Sequence, residues 1–552
     1  MRRFRKWTLV LALSLAALIP LAFVSDNLFE VSKNLDIFAS LYKEVNTLYV
    51  DDIDPGKFMR TGIDAMLNSL DPFTNYISEA EIEGFRFQTT GKYGGIGATV
   101  RKQGDYIALA EPYQGFAADK AGLLAGDVIL EIDGQSTKGK SIDDVSKVLK
   151  GSPGTTIKLL IQRPGDANTM VKEFAREEIK INSVPYSGML NSEIGYIRLS
   201  QFTEQCGKDV ADALKDLKSK NPGMKGLVFD LRGNPGGLLN EAVNVVNVFV
   251  DKGQLVVKTK GKVAQWNKDY KSLNEPIDLN IPVVVLTNSG SASASEIVSG
   301  ALQDLDRAVI VGQKTYGKGL VQTTQQLSYG TQLKVTTAHY FTPSGRCIQA
   351  IDYAHRNEDG SVGKIPDSLK TAFKTAGGRT VYDGGGIDPD IILDAPKYSN
   401  IAKSLVEKNF IFDFATLYHQ QHSTIADAKT FRLSDADWNA FVDFLKGKDY
   451  DYSTKTEDAL KQLQKSAEGE KYFESIQSDY DLIKNKIHHD KDQDIQTNKD
   501  EIKKILEQEI VSRYYYQNGR IISTLESDPE VKKGIDVLND LTLYSNTLKF
   551  TK

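Results

Sequence analysis

Through its middle third the chain alternates short apolar runs with stretches of helical spacing, and its two ends read differently. Ile281-Pro282-Val283-Val284-Val285-Leu286 is an unbroken apolar run of strand length, followed by Glu296-Ile297-Val298-Ser299-Gly300-Ala301-Leu302, whose apolar residues recur at helical spacing. Arg307-Ala308-Val309-Ile310-Val311-Gly312 predicts a second buried strand. Gly226-Leu227-Val228-Phe229-Asp230-Leu231 predicts a third, which runs through the glycine-rich turn Arg232-Gly233-Asn234-Pro235-Gly236-Gly237-Leu238 into a helix. Residues 335–345 predict a strand and turn, and 384–391 close this core. Upstream, Val31, Leu35, Phe38, Leu41, Tyr42 and Val45 form a helical stripe in a segment that Pro72 stops. From about residue 396 the chain turns helical and charge-rich. Trp438, Phe441, Val442 and Leu445, then Ile502, Ile505, Leu506, Ile510 and Tyr514, fall on packing stripes, with polar runs such as 488–501 between them.

At 552 residues the chain exceeds one core and predicts three to four domains. Its net charge of −5, with no basic face to hold phosphate backbones, argues against nucleic acid as a partner. Arg2, Arg3, Arg5 and Lys6 precede an apolar segment from Trp7 to Val24, the form of an export signal. About 18 residues is the lower edge for a spanning helix, so cleavage and retention as an anchor both stay open. Cys206 and Cys347 are too few for a disulfide framework; they could pair in an oxidising compartment, but spacing does not show whether they meet. No spacing of histidines or cysteines suggests a metal, and no cofactor is expected.

The candidate chemistry lies where strand gives way to helix. Thr287-Asn288-Ser289-Gly290-Ser291-Ala292-Ser293-Ala294-Ser295-Glu296 puts Ser293 at that turn, where small neighbours admit a substrate carbonyl and the amides of the first helical turn, from Ala294 on, point free at an oxyanion. Serine-rich turns also simply cap helices. What shifts the balance is Lys318, 25 residues on, in Tyr316-Gly317-Lys318-Gly319, where two glycines free the backbone to aim a long side chain inward. A lysine that deprotonates serine must be neutral; from a reference pKa of about 10.4, burial in an apolar site supplies a drop of roughly 3–5 units. Serine with lysine is an established alternative to serine with histidine.

With these residues in view, most of the chain resembles the carboxy-terminal processing, or tail-specific, serine peptidases. The resemblance makes Ser293 the nucleophile and Lys318 the general base, and gives Gln322, four residues after the lysine, the task of orienting it. Residues four apart in a flat strand lie about 13 Å apart, so Gly319 would have to bend the chain. It also implies a second oxyanion amide from the glycine turn, from Gly236 or Gly237, beside that of Ala294. Asp230 and Arg232 are expected to brace that turn as an ion pair. Asp304 matches a family position, but eleven residues along a continuous helix is about 16 Å, so its expected role is supporting and structural. His339, the one histidine close in sequence, is expected to be a strand histidine making a structural hydrogen bond rather than the base.

Residues 89–176 resemble a PDZ domain. Tyr93-Gly94-Gly95-Ile96-Gly97-Ala98-Thr99-Val100 is a glycine-rich turn entering a strand, and Ala121-Gly122-Leu123 with Gly126-Asp127-Val128-Ile129 follows it. The resemblance implies that amides around Gly95, Ile96 and Gly97 nest a terminal carboxylate while the peptide adds as a strand. The bland alternative is a small β domain that spaces its neighbours. The expected organisation is therefore multidomain α+β: 1–25 signal or anchor, 26–88 helical N-terminal domain, 89–176 PDZ domain, 177–395 α/β peptidase core with a central sheet, 396–552 helical extension of open role. The family also implies dimerisation through the N-terminal helices. The expected activity is that of an exported serine endopeptidase of the bacterial periplasm or envelope, cutting proteins near their C-termini. The rival from another class is a non-catalytic PDZ scaffold that only binds chain ends. A phosphate-binding loop at Gly312-Gln313-Lys314-Thr315-Tyr316-Gly317-Lys318-Gly319 fails at its last position, which is glycine and offers magnesium no hydroxyl.

Overall fold

The structure, a computed structural model, describes residues 28–357, 359–487 and 491–549. The basic and apolar leader therefore lies outside the described residues. Among those described, no helix is long and apolar enough to cross a membrane. The fold is mixed α and β, with N-terminal helices, a six-stranded β domain, a core built on a second six-stranded sheet and a helical C-terminal region. It divides into two compact units, one made of residues up to Glu79 with Gln322–Thr336, the other of Ala80–Val321 with Thr337 onward.

In the smaller unit a helix covers 28–48, and a second runs Pro55–Asn68, started by Asp54 accepting the Lys57 amide and by proline in its first turn. The predicted stripe is on the first helix, but its Val31, Leu35, Phe38 and Leu41 are exposed. Asn75–Ile77 pairs antiparallel with residues 332–334.

The larger unit is built on a six-stranded sheet ordered Tyr186–Met189, Ile194–Arg198, Gly226–Asp230, Val283–Thr287, Val309–Gly312, Ile391–Ile392, parallel after the first antiparallel pair. Its three middle strands are buried along their whole length, which is why they read as unbroken apolar runs. Alternate residues serve opposite faces. Leu227, Phe229, Val283 and Val285 pack with the helices Cys206–Lys220, Leu239–Asn247 and Ala294–Asp304. Val228, Val284 and Leu286 pack on the other side with Val531, Val537, Leu538 and Tyr544, from the helices Pro529–Asn539 and Leu541–Leu548. Gly534 permits this approach, since a Cβ there would lie 3.2 Å from Val228. The end of the C-terminal extension is thus the second layer of the six-stranded sheet. Burying each of those valine and leucine side chains contributes about 1.5–3 kcal/mol, so the layer matters on the scale of a domain's net stability.

The PDZ sheet has Ala98–Gln103 as an edge strand, paired on one side with Tyr106–Pro112 and carrying the helix Ile142–Leu149 nearby. Its apolar face forms a separate core with Ile107, Leu109, Ile129, Leu159 and Ile161. The helical domain has its own core, in which the predicted Trp438, Phe441, Leu445, Ile502, Leu506 and Ile510 are fully buried. The two meet where the Arg101 guanidinium lies 3.9 Å from the centre of the Phe412 ring, Arg520 pairs with Glu111 at 3.0 Å, and the Tyr516 hydroxyl donates to Asp119 at 2.7 Å. Cys206 and Cys347 are both free thiols.

Candidate active site

Five serines crowd the turn after the strand Val283–Thr287 and the first helical turns; Ser289 is exposed, and hydrogen bonding separates one of the other four. Ser291 Oγ donates to the Leu231 carbonyl and Ser295 Oγ to the Asn234 carbonyl, both at 2.8 Å, and Ser299 Oγ donates back to Ser295 O at 2.9 Å. Those three are fully buried and hold the glycine turn or the helix. Ser293 is half-buried, and its backbone has φ 55° and ψ −112°. A side chain at positive φ is costly outside glycine and marks a position fixed by its surroundings, as at the sharp strand-to-helix turn of a nucleophile elbow.

The fixing group is Glu296, at the third helical position, buried at 0% exposure. Its Oε2 accepts the Ser293 amide at 2.8 Å and the Lys318 amide at 2.9 Å, while Oε1 accepts the Gly317 amide at 2.7 Å and the Thr315 hydroxyl at 2.6 Å. One carboxylate oxygen thus joins the backbones of Ser293 and Lys318, less than two hydrogen-bond lengths apart. Burial pushes the Glu296 carboxyl up to about 7, against the opposing pull of these hydrogen bonds.

Lys318 is half-buried in a loop pinned on both sides. Gly319 donates to Gln349 Oε1 at 2.7 Å, the Gly317 carbonyl accepts from Ala350, and the Gly319 carbonyl accepts from Tyr340. Its glycines are required by contact, because a Cβ on Gly317 would lie 2.4 Å from that of Ala350 and one on Gly319 2.8 Å from Gln349 N. The strand Leu320–Gln326 follows, not a helix, so the stretch is no phosphate loop. Gln322 belongs to the smaller unit, where its amide donates to the Thr336 hydroxyl at 3.2 Å.

Across from Ser293, a Cβ on Gly236 would sit 2.8 Å from both Ser293 Cβ and Ala294 N. The Gly236 amide is occupied, donating to Asn234 Oδ1 at 2.9 Å, and its carbonyl accepts from Phe202. The amides of Gly237 and Ala294 donate to no group of the described protein. The two glycines that the sequence left equivalent are thereby distinguished: Gly237 has the available N–H. Gly236→Ala, with φ at +98° and its methyl against the serine, is expected to lower kcat at least about tenfold in a peptide-cleavage assay while the chain stays folded by circular dichroism.

Arg232 does brace the turn, its Nη2 2.7 Å from Asp230 Oδ2. Burial works against the Asp230 charge, but Arg232 overcomes it and brings the carboxyl down to about 2. Asp304 ends the continuous helix Ala294–Asp304, where it accepts from Arg346 at 2.8 Å and from the Ser344 amide at 3.0 Å. His339 is exposed, and its side chain makes no hydrogen bond among the described residues, where a structural one was expected. Its neighbour Tyr340 is fully buried and donates its hydroxyl to Ser293 O at 3.1 Å, and alternation along the strand Gln332–Phe341 turns His339 the other way.

Glu296, Tyr340, Thr315 and Asn234 were not singled out from the sequence. For Glu296 a signal existed, since a glutamate three residues after the serine at a helix start is capping-box spacing. In the PDZ domain Gly95 lies in a strand paired with Glu177, whereas the Ile96 and Gly97 amides donate to no described group. Gly97 is packed under Phe116, with room for no Cβ.

Family comparisons agree with this architecture. Peptidase family S41 matches residues 193–355, a PDZ domain residues 110–163, and the C-terminal helical domain of a probable PDZ-protease residues 401–538. A carboxy-terminal-processing protease of Bartonella bacilliformis is 39% identical over 340 residues, covering 61% of this chain and 78% of that protein. A probable CtpA-like serine protease of Staphylococcus aureus is 34% identical, covering 74% and 70%. Among solved structures, a photosystem II D1 C-terminal processing protease is 30% identical with a TM-score of 0.35, covering 65% of this chain and 92% of that one. The chain belongs to the carboxy-terminal-processing serine proteases of peptidase family S41, with a PDZ domain.

Proposed function

We propose that this protein is an exported serine endopeptidase that cuts proteins near their C-termini by a Ser293/Lys318 pair. The observation that carries the reading is the single Glu296 oxygen shared by the Ser293 and Lys318 amides, which brings the two sequence motifs to one point. Lys318 Nζ takes the proton of Ser293 Oγ as that oxygen attacks the peptide carbonyl. The carbonyl oxygen, now negative, is met by the amides of Ala294 and Gly237, each such donor lowering the barrier by on the order of 3 kcal/mol. The lysine passes its proton to the leaving amine, and water then releases the acyl group by the same path.

The free amides of Ile96 and Gly97, beside the unpaired edge of Ala98–Gln103, suit a terminal carboxylate with its chain added as a strand. The basic leader and apolar segment support export to the periplasm or envelope. The exposed stripe on helix 28–48 favours a homodimer through the N-terminal helices. Incubating the purified protein with an unfolded substrate and mapping products by mass tests the reading. Fragments cut near the C-terminus are expected with the wild type and none with Ser293→Ala. Retention of chain ends without cleavage would make the protein a scaffold instead.

A further inference from the structure

A second carboxylate, from the far end of the chain, repeats at the base of the site what Glu296 does at its centre. Arg232 opens the glycine turn that ends at Gly237, and Gln313 opens the loop that carries Lys318. Both leave the C-terminal ends of parallel strands, where open α/β sheets build their sites. Glu530 accepts from both of them, from Arg232 Nη1 through Oε2 and from Gln313 Nε2 through Oε1. Asp528 adds a bond to the same Arg232 nitrogen at 2.8 Å through Oδ2, while its Oδ1 caps the helix Pro529–Asn539 by accepting the Glu530 and Val531 amides. Glu530 is 3% exposed and Asp230, across the guanidinium, 0%.

Docking of this helix does not need such a cluster. Its apolar residues already cover the sheet, and buried charges are a weak source of stability compared with apolar packing of the same volume. What the cluster adds is direction. Three carboxylates fix one planar guanidinium, and the shared Glu530 ties the root of the oxyanion turn to the root of the lysine loop.

We infer that Glu530, assisted by Asp528, is a positioning residue of the peptidase site, so that the C-terminal helical domain takes part in catalysis by holding both active loops in register. The inference rests on the function proposed above. It is tested on the full chain with Glu530→Gln and with Asp528→Asn, the second of which keeps an oxygen to cap the helix and turns an amide N–H in place of the acceptor toward Arg232. Two readouts are taken: mass-resolved hydrogen exchange, and kcat with KM on an unfolded substrate. Each variant is expected to exchange faster in both 231–238 and 313–319, with the rest of the sheet protected, and to lose about tenfold in kcat with KM within twofold. Unchanged exchange in those segments overturns the inference whatever happens to activity, and so does faster exchange spread over the whole sheet, which marks a merely structural role. Local exchange changes in a protein whose wild type cleaves nothing would leave the clasp standing and remove the peptidase reading.

Discussion

Ser293→Ala and Lys318→Ala are each expected to stop peptide cleavage, with a fall in kcat of at least about 10^4-fold, while the purified variants keep the wild-type fold. On the proposed mechanism the loss is large because nucleophile and base act as one unit, so removing either leaves only binding and the oxyanion amides. The fold is expected to survive because hydrogen bonds that tie this turn to the loop run through backbone atoms that alanine retains. These are the Ser293 amide and carbonyl, bonded to Glu296 and Tyr340, and the Lys318 amide, bonded to Glu296. Product mapping by mass, with thermal unfolding on the same samples, checks both halves. Cleavage by either variant at a tenth of the wild-type rate would remove that residue from the chemistry.

Glu296→Ala is expected to come next in size, at about 10^3-fold in kcat. Three backbone amides and one hydroxyl lose their buried acceptor together, at about 1–3 kcal/mol for each donor left unpaired, so stability falls as well. Glu296→Gln separates position from fold. Its carbonyl can still face Ser293 and Lys318, and the Thr315 hydroxyl can turn to accept from the new amide, which leaves mainly the Gly317 N–H opposed. Activity should therefore return to within about 10–100-fold of wild type.

The pH dependence of stability carries the same signature. Burial raises this carboxyl from 4.5 to about 7, so between those values the native state binds the proton that the unfolded chain releases, and stability declines as pH rises. That decline should be absent from Glu296→Gln in denaturant titrations across the same range. An identical slope in both proteins would show that Glu296 is not a buried, strained carboxylate.

Much of the peptidase core was legible in the sequence, because strands buried on both faces must be apolar without interruption and the helix after Ser293 must repeat its apolar residues every three to four positions. The same logic found the stripes of the C-terminal helices. It could not tell that Val531, Val537 and Leu538 lie on the catalytic sheet, since an amphipathic stripe names no partner. Of the proposed site, the sequence offered the two motifs at Ser293 and Lys318, because small residues at a strand-to-helix turn and a glycine-flanked lysine are local patterns. The site was not legible where a residue acts through contacts distant in sequence: Tyr340 reaches Ser293 across 47 positions and Glu530 reaches Arg232 across 298. Gly236 and Gly237 look alike in a sequence, and only Asn234 folding back on the Gly236 amide distinguishes them.

The central claim is that an uncharged Lys318 amine takes the proton of Ser293, and the rate at which a fluorophosphonate modifies Ser293 as a function of pH tests it most directly. The account predicts that in the wild type this rate climbs with pH as the lysine loses its proton and then levels off, and that Lys318→Ala is modified far more slowly with that climb gone. Modification of Lys318→Ala at the wild-type rate, with an unchanged pH profile, would contradict it.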